Sequence, residues 1–109
     1  MQTTADLTRV EETVDTGLEY LPGVPVLLRV VTRGRRVTIS DEGRAVELAG
    51  RPAGWREVAD RIADELIVNV SRHGTIGLPV SGCGPGHDAI VSRIAAASLA
   101  VYEDLLDLE

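Results

Sequence analysis

The chain has 109 residues, 44% of them apolar, which suffices for one small domain with a core and is too little for two. Its 17 acidic residues outnumber 11 basic ones, all arginine, for a net charge of -6. That disfavours a general nucleic-acid binder, which needs an excess of positive charge to neutralise phosphates. One Trp, two Tyr and no Phe leave no aromatic platform for stacking bases, and a single cysteine excludes an intrachain disulfide.

The first segment, residues 4–16, has Leu7, Val10 and Val14 at spacings of three and four, which predicts a helix. Threonines at 3, 4, 8, 13 and 16 are weak helix formers, so this N-terminal helix is expected to fray within residues 1–20, and Gly17 is its predicted stop. The N-terminus has neither a basic start nor an apolar stretch, so no secretory signal is expected. No helix-like apolar run is long enough to span a bilayer, and the expected compartment is the cytoplasm.

Pro22-Gly23 is a turn signal. Val26, Leu28 and Val30 then alternate with Leu27, Arg29 and Val31, as in a strand. Gly34, between Arg33 and Arg35, supplies the positive φ of a hairpin, and Val37 and Ile39 point inward on the return strand. Asp41-Glu42-Gly43 is a tight turn in which the Asp side chain bonds forward to the backbone. Alternatively, Ser40 or Asp41 caps a short helix through Leu48; residues 43–50 fit a helical turn or a third strand. Trp55, Val58, Ala59, Ile62, Ala63 and Leu66 form a clearer helical stripe. Val68 and Val70, then Ile76, Leu78 and Val80, predict a second hairpin turning at Arg72-His73-Gly74, with Gly77 and Pro79 marking an edge strand with a bulge. From His87 to about Leu106 the pattern is helical, and alanines at 95, 96, 97 and 100 permit close approach of a neighbour. Acids at 103, 104, 107 and 109 oppose the helix dipole, so its last turn is expected to fray.

The order α-β-β-(short)-α-β-β-α predicts a single α+β domain over residues 1–109, an antiparallel sheet of two hairpins with helices on one face. The chain resembles a prokaryotic and phage small-domain family of unknown function. The resemblance rests on Ile39-Ser40-Asp41-Glu42-Gly43 after the first hairpin, on the pair Ile67-Val68-Asn69-Val70 and Thr75-Ile76-Gly77-Leu78, and on the Ala-rich last helix. Leu21-Pro22-Gly23-Val24-Pro25 replaces the polar stretch that usually precedes the first strand. The resemblance implies the fold and no activity. In element order alone the chain is also similar to secretion-chaperone-like domains, which implies protein binding.

Residues 29–56 carry seven Arg and three acids, a net of +4, against -10 for the rest. Arg29, Arg33, Arg35 and Arg36 are therefore the candidate partner-binding residues, suited to an acidic protein partner or, as a third reading, to weak contact of the hairpin with a nucleic-acid phosphate backbone. Asp41, Glu42 and Gly43 form a turn that is a further candidate contact. An alternative site is the Gly-rich loop with Cys83, His87 and Asp88, plus His73 in the preceding turn: a cysteine at a helix N-terminus is activated, and Cys with His is the raw material of thiol or metal chemistry. No orienting third residue accompanies them, four metal ligands are not available, and the loop lacks the Lys-Ser/Thr of a phosphate-binding loop. No catalytic residue, metal or cofactor is assigned. The expected function is a non-catalytic interaction module for a protein partner, with a second copy of the chain as a further partner through the Ala-rich helix.

Overall fold

The computed structural model describes residues 9–34, 36–81 and 87–108. They form one α+β domain: β1 (Arg9–Leu21), β2 (Val24–Arg33), β3 (Arg36–Ser40), α1 (Arg44–Leu48), α2 (Trp55–Leu66), β4 (Asn69–Val70), β5 (Ile76–Ser81) and α3 (His87–Leu106). The five strands make one sheet in the order β1-β2-β3-β5-β4, each neighbouring pair antiparallel. The helices lie on one face, where α3 packs across β1, β2, β3 and β5, and α1 and α2 pack on α3.

The expected N-terminal helix is a strand over its described part. Val10 and Val14 are four apart, a spacing that a period of 2 and a period of 3.6 share. β-branched Thr and Val favour the pleated surface, and pairing of β1 with β2, from Arg9–Arg33 to Leu21–Val24, supplies the backbone partners. Gly17 does not stop the element; it sits at φ 82° inside a bulge between Asp15 and Glu19. Side chains hold that bulge. Asp15 accepts from the Gly17 N–H at 2.9 Å, and the Thr16 hydroxyl donates to the Val26 carbonyl at 2.7 Å.

The β2–β3 hairpin forms as expected, with Val26, Leu28, Val30 and Ile39 buried under the helices. Residues 44–48 are helical, which decides the open alternative in favour of the short helix, but its N-cap is Gly43 in the left-handed region, without a side-chain cap bond, rather than Ser40 or Asp41. The apolar stripe of α2 buries Ala59, Ile62 and Ala63, and that of α3 buries Ile94, Ala97, Val101 and Leu105. Ala95 and Ala97 are used against this chain's own core, while Ala96 is exposed. α3 runs to Leu106 as expected, and near its end Arg61 of α2 reaches Asp104 at 2.7 Å, which offsets one of the charges opposing the dipole.

β5 differs from the expected bulged edge strand. It lies between β3 and β4, and its register with β3 runs without a break from Ser40–Gly77 to Arg36–Ser81. β4, however, pairs only with Ile76 and Gly77. Pro79 therefore stands where β5 has a neighbour on one side only, which is where a residue without an N–H is tolerated. Gly77 serves close approach rather than a bulge: a Cβ there would run into the Ile39 carbonyl and Ser40. No helix among the described residues is long and apolar enough to cross a membrane.

Candidate interaction site

Register and alternation put Arg29, Val31 and Arg33 on the sheet face away from the helices, level with Ser40, Thr38 and Arg36. β2 ends at Arg33 and β3 begins at Arg36, and these two residues are paired directly across the strands. Arg9 is the register partner of Arg33 on β1. Three arginine positions thus form one row across three strands at the end of the open face. Like charges directly opposite one another destabilise a sheet. Arg33 and Arg36 are exposed, and among the described residues neither forms an ion pair. Arg35 lies outside the described residues.

Arg29 is different. Its guanidinium bonds Glu11 on β1 at 2.6 Å and lies 3.7 Å from Glu42. Of the predicted arginines among the described residues it is the one already neutralised. The remaining arginines of the basic segment are also accounted for in part. Arg51 and Arg56 flank the half-buried Trp55 ring at 5.5 and 5.8 Å, and they donate to the His73 and Ser71 carbonyls. They clamp the β4–β5 turn to the start of α2, with cation–π contact adding to the hydrogen bonds. Folding therefore divides one basic stretch of sequence between a clamp (Arg51 and Arg56), a neutralised Arg29, and Arg33 and Arg36, which have no ion-pair partner among the described residues.

The Asp41-Glu42-Gly43 turn has another role than contact. Asp41 is 2% exposed. Its Oδ1 accepts from the N–H groups of Gly43 at 2.8 Å and Ile76 at 2.9 Å, and its Oδ2 accepts from the Ser98 hydroxyl at 2.7 Å and the Ala45 N–H at 3.5 Å. One carboxylate thus joins the β3 turn, α1, β5 and α3. Ser98 spends its single hydrogen on Asp41. The 2.6 Å contact between Ser98 and Tyr20 is consequently a bond donated by the tyrosine. The Tyr20 ring also meets Tyr102 edge-on, with centroids 5.3 Å apart. Burial raises the Tyr20 phenol from 10.0 to about 12. Burial also raises the Asp41 carboxyl, countered in part by Ser98 and then by the N–H groups of Ile76, Gly43 and Ala45. Glu42, at φ 58°, is exposed at the rim of a shallow pocket of about 350 Å³ that Thr13, Leu27, Arg29 and Arg44 also line.

The sequence reading missed Tyr20 and Ser98 as a network. The signal was there for Ser98: a polar residue four after Ile94 and three before Val101 stands on the apolar stripe. Tyr20 carried none, because it lay in a predicted frayed end. His73 is exposed at the β4–β5 turn and Asp88 is exposed in the first turn of α3. Cys83 and its glycine-rich loop lie outside the described residues. Comparison with known proteins finds no family model, curated protein or solved structure that matches the chain.

Proposed function

We propose that this chain is a non-catalytic interaction module that binds an acidic segment of a protein partner at the arginine-bearing end of its open sheet face. The observation that carries this reading is the direct pairing of Arg33 with Arg36, neither of which has an ion-pair partner among the described residues. Mutual repulsion is the cost of that arrangement, and an incoming carboxylate relieves it. Arginine suits the task, since its planar fork accepts a carboxylate through two bonds. The net charge of -6 repels a polyanion such as DNA from the rest of the molecule, while a short acidic peptide touches the row alone.

Fluorescence anisotropy with a glutamate-rich peptide tests the reading. Wild type is expected to bind it with an affinity that falls as salt rises. Arg33→Glu with Arg36→Glu should abolish binding, and Arg29→Ala should leave it nearly intact. Equal binding by the double variant removes the row from the function. Tighter binding of a DNA duplex than of the peptide assigns the row to nucleic acid instead.

A further inference from the structure

At the opposite edge of the sheet, Ile67 stands apart from the other residues with positive φ. Among the described residues glycine occupies seven such positions, at 17, 23, 34, 43, 50, 54 and 74. Three other described residues share this conformation, Glu42, Arg51 and Ile67, and of these Ile67 alone is β-branched. It caps the C-terminus of α2 at φ 58°, ψ 55°, the position where glycine is the usual residue. Its side chain is 69% exposed, so burial does not offset the strain. A strained, exposed, apolar residue is retained here although glycine would fit the backbone better.

What surrounds Ile67 suggests why. It borders an open groove of about 920 Å³, which Ala63, Asp64, Val68, Val70 and Leu78 also line. β4 is the last strand of the sheet and only two residues long. The groove is lined by α2 on one side and by residues 67–70 on the other, where the sheet has no further strand among the described residues. A strand edge under a helix is a template for one added extended segment, and the brevity of β4 limits it to a short one. The charges at the groove are uneven. Arg61 is engaged by Asp104, and Asp60 by Arg56 at 3.4 Å. Asp64 is exposed and has no ion-pair partner among the described residues.

We propose that the groove between α2 and β4 docks one extended peptide segment of a partner, added beside β4, with apolar side chains against Ile67, Val70 and Leu78 and a Lys or Arg facing Asp64. The site is independent of the arginine row and takes the opposite charge. A second copy of this chain fits it less well, because two acidic rims would meet.

The test uses phage-displayed random dodecapeptides as the probe, selected on the full chain and counter-selected on Ile67→Gly. The expected winners alternate apolar residues with Lys or Arg. Their affinity should fall at least tenfold with Ile67→Gly, fall with Asp64→Asn, and persist with Arg33→Glu plus Arg36→Glu, which separates this site from the arginine row. Ile67→Gly should melt at a temperature no lower than wild type, because the lost strain offsets glycine's entropy. Four results overturn the proposal: no peptides enriched over Ile67→Gly, winners without basic residues, a variant melting several degrees lower, or a wild-type dimer that Ile67→Gly makes monomeric. The last assigns the groove to a second copy.

Discussion

The two faces of the sheet treat charge in opposite ways. Under the helices, Asp41 is buried and each of its oxygens has two donors within 3.5 Å. On the open face, Arg33 and Arg36 face each other and have no ion-pair partner among the described residues. The difference follows from water. A buried charge without partners costs several kcal/mol, about 3–5 when one partner is removed, so the interior network must be complete. An exposed guanidinium stays hydrated, so an incomplete arrangement is tolerated there.

The sharpest way to break the interior side is Asp41→Ala. It strands the N–H groups of Gly43 and Ile76 together with the Ser98 hydroxyl, and a loss of about 3–5 kcal/mol is expected in urea unfolding. That is a large fraction of the stability of a domain this size. Ser98→Ala should cost less, about 1–3 kcal/mol, since Asp41 keeps its backbone donors while the Tyr20 hydroxyl loses its acceptor.

Tyr20→Phe is expected to cost about 1 kcal/mol at neutral pH, and it also changes the alkaline limb. The folded phenol titrates near 12 and an ordinary one at 10.0. The folded chain therefore holds a proton that the unfolded chain releases. The Tyr20 contribution is complete below pH 10 and is lost as pH rises toward 12. Unfolding free energies measured across that window should fall more steeply for wild type than for Tyr20→Phe.

Asp41 has the same sign at the acidic end. Its carboxyl is raised above 3.8 in the folded chain, so its contribution is greatest below 3.8 and declines as pH rises through the folded value. Asp41→Asn removes that slope. A wild-type profile parallel to that of Asp41→Asn would show that the carboxyl does not titrate differently in the two states.

The smallest effects belong to the open face. Arg33→Ala and Arg36→Ala should change stability by about 0.5 kcal/mol or less, toward higher stability at low salt, with the gain fading as salt screens the repulsion. Arg29→Ala should lose about 0.5 kcal/mol, the worth of an exposed pair. A clear loss of stability from Arg33→Ala would erase the contrast between the faces and make the row structural.

Most elements were legible in the residue pattern, because apolar period and glycine placement are local. The stripes of α2 and α3, the β2–β3 alternation, the Pro22-Gly23 turn and the forward bond of Asp41 were read from the chain itself. β1 was not, since Val10 and Val14 fit both periods and the strand exists through its pairing with β2. The candidate site was legible only as a list of arginines. Residues 29–56 are net basic on paper, yet Arg29 meets Glu11 from a different strand and Arg51 and Arg56 meet a turn 22 and 15 residues away, respectively.

The sequence by itself determined the class of this fold and the positions of its turns, since those depend on side-chain period and on which residues accept positive φ. Tertiary structure alone decided which charges remain unpaired. That outcome depends on strand register and helix overhang, through which Glu11 reaches Arg29, Ser98 reaches Asp41, Arg61 reaches Asp104, and no acid among the described residues pairs with Arg33 or Arg36.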